Sequence, residues 1–406
     1  MRIMLINHYA GGPHLGMEHR PFLLAREWIR AGHEVVIVAA GYAHTRTRQP
    51  DVQGRIHEAS HDGVPYLFFR TPSYSGNSLK RVWNMGVFIR KLWSHARYMA
   101  EKFRPEAVIA SSTYPLDIWP AHRIARMSGA RLVFEVHDLW PLSPMELGGY
   151  SARHPYIRLL QKAEDFAYHH ADRVVSLLPC TLPHMTSHGM EPEKFRYVPN
   201  GVLPDEWDAA GILPGEHQHI IDTSRAEGKK IVGYTGALGV ANALEPLIEA
   251  SALVKDQPVV FLLVGQGPEK DRLMDLAGNL GVHNLFFAPN VPKQQLPALL
   301  EQIDFLYVGF RKQALYRFGV SPNKIFDYMM AGKPVIQAIE ACNNPVAEAG
   351  CGISIPADNP IAIAEAIRRL CAAPAEELAA MGKAGRSYVM AYHDYRKLAE
   401  HFLEGL

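Results

Sequence analysis

Short apolar runs recur along the chain, each closing in a polar or glycine-rich turn and followed by a stretch of helical periodicity. This alternation restricts the fold more than any other feature, because a run apolar on both faces is a strand covered by helices on both sides, as in a parallel sheet. Ile3–Asn7, Val35–Ala39, Val64–Arg70, Ala107–Ala110, Arg131–Val136 and Asp172–Ser176 are the runs of the first half. Those of the second are Lys230–Tyr234, Val259–Val264, Asn284–Ala288 and Phe305–Val308. Between the two series lies Leu203–Gly228, rich in Pro, Gly and acids and weak in periodicity, which suits a connection between domains. The expected fold class is α/β, with two Rossmann-like, doubly wound parallel-sheet domains facing across a cleft. The expected boundaries are residues 1–203 for the first domain and 204–385 for the second, with a helix over 386–406 crossing back to the first.

With 406 residues, 48% of them hydrophobic, each half can bury a core of its own. A net charge of +1 leaves no basic surplus for nucleic acid, so any cationic function has to be local. The opening run Met1–Asn7 breaks into Gly11-Gly12-Pro13, too early for a signal peptide, and no window reaches about 18 uncharged apolar residues. Four cysteines forming no Cys-x-x-Cys pair add to the expectation of a cytoplasmic protein with reduced thiols. The 20 histidines include Glu18-His19, His169-His170 and His217-Gln218-His219, none at zinc-ligand spacing, so neither a metal nor another cofactor is expected.

One helix is singled out by where its charges fall. Ser321 is suited to cap it, Pro322 to begin it and Gly332 to end it. Ile325, Phe326, Met329 and Met330 form its apolar stripe, which leaves Lys324 and Asp327 together on another face. A lysine in the first turn opposes the helix dipole, yet beside unsatisfied N–H groups it makes an anion site fit for a phosphate, and Asp327 suits ribose hydroxyls. A solvated Lys–Asp pair is the plain alternative.

Glycines at strand ends, Gly11-Gly12, Gly236 to Gly239 and Gly265 with Gly267, lie where such folds bring backbone donors to a ligand. The dinucleotide pattern G-x-G-x-x-G is absent, which disfavours NAD. His137 and Asp138, at the carboxyl end of Arg131–Val136, project into the same kind of crevice and are the first-half candidates for chemistry. A histidine held for structure alone is the alternative there. Leu79–Arg104 departs from the rest in composition, setting Lys80, Arg81, Arg90, Lys91, Arg97, Lys102 and Arg104 against the single acid Glu101, with Trp83, Phe88, Trp93, Tyr98 and Phe103 interleaved. Two readings fit it: a helix lying in an anionic membrane interface, or a domain helix whose aromatics face the core.

In this order, Gly32-His33-Glu34-Val35, Val136-His137-Asp138-Leu139-Trp140-Pro141, Pro199-Asn200-Gly201-Val202, Tyr234-Thr235-Gly236-Ala237-Leu238-Gly239, Val264-Gly265-Gln266-Gly267-Pro268 and Pro322-Asn323-Lys324 through Ile336 resemble glycosyltransferase family 4. Its fold is the two-Rossmann-domain type called GT-B, and the resemblance covers essentially the whole chain. Asp138-Leu139-Trp140-Pro141 and Gly16-Met17-Glu18 look most like the branch that builds bacterial surface polysaccharides, including N-acetylfucosamine transferases of O-antigen or capsule synthesis.

The resemblance implies retaining transfer from a nucleotide sugar, UDP-linked by preference. The nucleotide would be held by the second domain, and a saccharide or polyprenyl-diphosphate-linked acceptor by the first. It assigns Asp327 to ribose, Lys324 and the Gly236–Gly239 loop to the pyrophosphate, and His137 with Gly11 and Gly12 to the donor sugar and phosphate side. It also puts Leu238, Gly265, Gly267, Asn290, Val291, Pro322 and Asn323 with the donor, and Glu18, Arg20 and Arg317 on the acceptor side. Two departures matter: the family's Arg and Lys after the second-domain glycine loop are replaced by Ala237-Leu238-Gly239-Val240-Ala241, and its paired glutamates by Gly319 and Asp327.

Charge neutralisation then rests on Lys324, helped by Arg311, Lys312 or Arg317, and the departing phosphate takes the acceptor's proton in a same-face attack. Glu135 or Asp138 as a covalent nucleophile is the alternative. A nucleotide-sugar 2-epimerase and an inactive nucleotide-sugar-binding scaffold are the competing functions, and a peripheral position on the inner membrane face goes with the interfacial reading of Leu79–Arg104.

Overall fold

Every apolar run of the first half is a strand. The computed structural model describes residues 1–76, 78–208 and 211–406. Its first unit, Met1–Pro199 with Tyr395–Leu406, starts with β1 (Arg2–Ile6), α1 (Arg20–Arg30), β2 (Glu34–Ala40), β3 (Ile56–His61) and β4 (Val64–Phe69). It continues with α2 (Leu79–Ser94), α3 (Ala96–Phe103), β5 (Ala107–Ala110), α4 (Ile118–Ser128) and β6 (Arg131–Val136). Then come α5 (Leu142–Gly148), α6 (Pro155–His170), β7 (Arg173–Ser176), α7 (Leu182–Ser187) and β8 (Phe195–Tyr197).

The eight strands lie in the order β3-β4-β2-β1-β5-β6-β7-β8. All neighbours are parallel except β3 and β4. From β1 the chain winds outward one way through β2 and from β5 the other way, so the carboxyl ends of β1 and β5 flank the switch point where such sheets bind ligands. β3 is a polar edge strand that alternates between half-buried and exposed, which is why no apolar run announces it. α1 starts only at Arg20, because Gly16 and Glu18 hold φ of 95° and 67°, outside helical space.

The second unit, Asn200–Asp394, contains α8 (Gly215–Ala226), β9 (Lys230–Thr235), α9 (Glu245–Leu253), β10 (Val259–Val264), α10 (Lys270–Asn279) and β11 (Leu285–Ala288). Next are α11 (Leu296–Glu301), β12 (Phe305–Gly309), α12 (Asn323–Met330), β13 (Val335–Ala338), α13 (Pro345–Ala349) and β14 (Gly352–Ser354). Two long helices, α14 (Pro360–Ala372) and α15 (Ala375–Tyr392), complete it. Its six strands, ordered β11-β10-β9-β12-β13-β14, are parallel throughout, and here the switch point falls between β9 and β12. The stretch expected to be a mere connection holds α8, a mostly polar helix that buries only His217, Ile221 and Ser224; positions 209 and 210 of that stretch lie outside the described residues.

α16 (Tyr395–Leu403) returns to the first unit and packs on α1, where the Trp28 indole N–H donates to Ala399 O at 2.9 Å and the Phe402 ring meets Trp28 edge-on at 5.2 Å. The return begins at Tyr395 and not at 386, because α15 runs unbroken through 386 and packs against α12. Cys351 and Cys371 are free thiols. Among the described residues no helix is long and apolar enough to cross a membrane.

Candidate active site

α12 carries Lys324 to the switch point of the second sheet. Ile325, Phe326, Tyr328, Met329 and Met330 bury its inner face, while Lys324 and Asp327 stay half-buried on the other. Pro322, not Ser321, occupies the cap position; Ser321 lies one residue outside, its Oγ accepting from Asn200 N at 2.9 Å and its carbonyl from Asn200 Nδ2 at 2.7 Å. Gly332 ends the helix as expected, at φ 67°.

Lys324 and Asp327 do not pair. Lys324 Nζ donates to Tyr234 Oη at 2.9 Å and Asn242 Oδ1 at 2.7 Å, and lies 4.4 Å over the Tyr234 ring, both partners belonging to β9 or the turn after it. Burial without a carboxylate partner lowers its pKa to about 7. The Asp327 side chain has no hydrogen-bond partner among the described residues, and burial raises it to about 6. A lysine and a carboxyl on the same side of α12, each with its pKa moved toward neutrality by burial and neither satisfied by the other, describe a site awaiting a polar ligand.

Two N–H groups of the Gly236–Gly239 loop are already committed. The N–H of Gly236 donates to Val264 O at 3.0 Å and that of Leu238 to Gln266 O at 2.9 Å, so neither is open to a pyrophosphate. A methyl at Gly265 would lie 2.0 Å from Gly236 O and one at Gly267 2.2 Å from Leu238 O, so these glycines let the loops after β9 and β10 interlock. Gly236 itself clears space for Lys324, whose Nζ would be 3.1 Å from a methyl there, and Gly239 faces open space. Gly265→Ala is expected to cost about 1–3 kcal/mol by overpacking, read as a lowered unfolding temperature.

Other candidates stand apart from Lys324. Asn290 and Val291 follow β11, an edge strand separated from β9 by β10; Asn290 is exposed, and Val291 packs on the core of the unit. Arg311 ion-pairs with Glu245, itself paired with Arg272. Lys312 pairs with Glu340 at 2.6 Å, and Arg317 donates to Ala314 O while covering the Phe318 ring. Gly319, where the family pattern has a glutamate, takes φ 103° with ψ 176°, a conformation essentially restricted to glycine.

In the first unit the centre is Glu135, two residues before His137 on β6 and therefore on the same face of the strand. Glu135 is wholly buried. One of its oxygens accepts from Arg20 Nε at 2.9 Å; the other accepts from Ser111 Oγ at 2.5 Å and lies 3.3 Å from His137 Nε2, itself 3.0 Å from Ser111 Oγ. Burial alone would raise this carboxyl, but Arg20 and His137 outweigh it and hold it at about 2. For His137, burial disfavours the cation, Glu135 prevails, and the imidazole stays raised above its usual value. Its Nε2 is taken by this network, leaving Nδ1 as the edge for a ligand.

Glu135 is thus closed to substrate, which removes it as a covalent nucleophile. Arg20 is also interior: besides Glu135 it serves the carbonyls of Val198 and Pro199, at 2.8 and 2.6 Å, and so positions β6 instead of meeting an acceptor. Glu18 is half-exposed at φ 67°, its pKa raised by burial beside His137, and Asp138 is exposed. Gly11 and Gly12 are closed as well, their N–H groups donating to Glu18 O at 3.0 Å and Gly16 O at 3.1 Å. Residues that sequence reasoning missed line the same crevice. Asn7 bridges to Ser111 O at 2.6 Å, and the buried Asp117 accepts from Ser112 N at 3.0 Å, with burial raising it to about 7. Placement of Asn7 and Ser111 at the ends of neighbouring strands is the only hint the sequence offers for them.

One metal-like grouping occurs among the described residues, Glu164 on α6 with His184 on α7 and His188 just after it. It escaped the search of histidine spacings because its acid comes from another helix, and its members already hydrogen-bond to one another, to Tyr168 and to Asp165.

Two doubly wound sheets, each with polar side chains at its switch point, define the GT-B class of fold. Residues 16–201 match the glycosyl transferase 4-like domain and residues 217–388 the glycosyl transferases group 1 domain. The chain belongs to the glycosyltransferases that join these two domains. It is 26% identical to the putative colanic acid biosynthesis glycosyl transferase WcaI of Escherichia coli over 78% of each chain. Among solved structures it is similar to sucrose-phosphate synthase of Thermosynechococcus elongatus, with TM-score 0.72 and 17% identity over 99% of this chain and 97% of that one. Anabaena HepE, solved with UDP-glucose, gives TM-score 0.67 and 14% identity over 99% and 98%.

Proposed function

We propose that the chain is a retaining glycosyltransferase that moves a hexosyl or N-acetylhexosaminyl group from a UDP-sugar to a saccharide carried on polyprenyl diphosphate, in O-antigen or capsule synthesis. The observation that carries this reading is Lys324, a lysine lowered to about 7 by burial and aimed at the carboxyl end of β9 from a helix start. A diphosphate there restores its charge, and the lysine stabilises the negative charge that develops on the leaving group, the task for which no metal is then required. Asp327 takes the ribose hydroxyls. His137, whose pKa burial lowers but Glu135 raises to above its usual value, offers Nδ1 to the transferred sugar. With Glu135 closed, same-face attack with proton transfer to the departing phosphate is favoured over a covalent intermediate.

UDP is favoured because HepE, of the same fold, was solved with UDP-glucose, and polysaccharide synthesis because WcaI is named for it. The sequence likeness around Asp138–Pro141 favours an N-acetylfucosamine type of sugar.

A lipid-linked acceptor at the inner membrane face is supported by α2, which is apolar on both sides. Met85, Phe88 and Leu92 point into the unit, while Leu79, Val82, Trp83 and Trp93 are 87%, 42%, 66% and 46% exposed among Lys80, Arg90 and Arg97. An outward apolar face flanked by cations is what an anionic interface binds. The test is a thermal-shift series with UDP, GDP and ADP followed by transfer assays with and without EDTA. UDP should give the largest rise in melting temperature, and sugar should pass to a polyprenyl-diphosphate acceptor unaffected by EDTA. An isomerised nucleotide sugar formed without acceptor points to an epimerase, and binding without turnover to a scaffold.

A further inference from the structure

Glu164 on α6 is a carboxyl only 2% exposed, and none of its partners carries a fixed positive charge. Tyr168 Oη donates to one oxygen at 2.9 Å, His184 Nε2 lies 3.3 Å from the same oxygen, and Gln161 Nε2 donates to the other at 2.8 Å. Asp165 adds a second carboxyl, its Oδ1 2.9 Å from His188 Nδ1 and 2.7 Å from that Gln161 nitrogen. Two acidic side chains thus meet two imidazoles, and no lysine or arginine among the described residues pairs with either acid. Glu135, buried to the same degree, has Arg20. A buried carboxylate without opposite charge is costly, and a divalent cation would neutralise both acids at once.

The spacing says which cation. Ligand atoms about 2.0–2.1 Å from a tetrahedral zinc ion stand roughly 3.3 Å apart. Glu164 Oε1 and His184 Nε2 are 3.3 Å apart, and the ligand atoms of Glu164, His184 and His188 all lie within 4.8 Å of one another, so small side-chain rotations close the set. His184 and His188 are one helical turn apart, which brings both rings to one side of α7, 4.6 Å from each other. Imidazole nitrogen mixed with carboxylate oxygen suits zinc, whereas magnesium and calcium take oxygen alone. Tyr168 and Gln161 hold Glu164 from behind, as hydrogen-bond donors orient metal ligands. The Asp165 and His188 side chains, 42% and 30% exposed, leave the ion a way in. We propose that Glu164, Asp165, His184 and His188 form a structural zinc site that clips α7 to α6. α7 has six residues, too few to hold as a helix unaided, and it leads to the edge strand β8 and on to the Val198 and Pro199 carbonyls that Arg20 serves. None of the four belongs to the networks of Lys324 or Glu135, so the transfer proposed above stays independent of the ion.

The test uses the full chain, stripped with EDTA and dialysed. Zinc chloride titrated by calorimetry should bind saturably, at about one ion per chain, and raise the melting temperature, whereas magnesium chloride should do neither. Cobalt(II) in its place should show the intense visible bands of a four-coordinate ion. His188→Ala, at a half-buried position, and His184→Gln should each weaken zinc binding at least tenfold. His169→Ala/His170→Ala, at the exposed end of α6, should leave it unchanged. Absence of saturable zinc binding overturns the proposal, and so does zinc affinity unchanged in both single-histidine variants. The weak cobalt spectrum of a six-coordinate ion, the mark of adventitious binding to surface histidines, overturns it as well. That spectrum is read on the wild-type chain, so it decides the matter even where a variant fails to fold.

Discussion

Lys324→Ala is expected to lower turnover with a UDP-sugar on the order of 10²-fold, the usual cost of removing one preorganised donor from a site of developing negative charge. The lysine has no carboxylate partner to mask the effect, and Arg311 and Lys312, the neighbouring cations, are tied to Glu245 and Glu340. The same arrangement gives a pH signature. In the ligand-free protein Lys324 is charged below about 7 and neutral above it, and a diphosphate binds the charged form. The KM for donor should therefore be flat below pH 7 and rise about tenfold per unit above it. Lys324→Arg, charged at every accessible pH, should remove that slope while keeping part of the rate. Wild-type rates and an unchanged slope in Lys324→Ala would take the residue out of the mechanism.

Arg20→Ala should be the most destabilising single change in the first unit, by about 3–5 kcal/mol, because it strands the buried Glu135 carboxylate without its guanidinium. It also leaves the carbonyls of Val198 and Pro199 without their donor. Urea unfolding of wild type, Arg20→Ala and the paired Arg20→Met/Glu135→Met checks this, the pair being expected to recover part of the loss. The pH dependence carries a definite sign. The folded-state pKa of Glu135 is about 2, below its usual 4.5, so its contribution is complete above 4.5 and fades as the pH falls toward 2. Glu135→Gln should flatten that acid limb. An Arg20→Ala protein as stable as wild type would mean that the network does not anchor β6.

Lys324 stood out in the sequence because a cation in a first helical turn contradicts the dipole, the kind of local contradiction that directs a search for function. Its alternative, a solvated pair with Asp327, fails because the helix turns Lys324 inward to Tyr234 and Asn242. The strands were legible as apolar runs, since burial on both faces leaves no alternation to misread. Glu135 was present in the pattern as the same-face neighbour of His137, but its role depends on Arg20, distant in sequence and brought in by α1. No local pattern encodes that meeting. A glycine at a strand end signals close approach, and at Gly265 and Gly267 a neighbouring backbone carbonyl approaches. In Leu79–Arg104 the core-facing reading holds for Phe88, which α2 turns inward, while Trp83 is turned outward, and the chain breaks at His95 into α3.

The return of α16 to α1 sets an order of events on the ribosome. Trp28 sits near the beginning of the chain, yet the carbonyl that takes its N–H and the ring that covers its face belong to Ala399 and Phe402. The first unit therefore cannot finish packing until Ala399 and Phe402 have left the exit tunnel, by which time the whole second unit has been made. Its nascent form must wait with α1 uncovered, and a gene fragment ending at Pro199 would preserve that waiting state indefinitely.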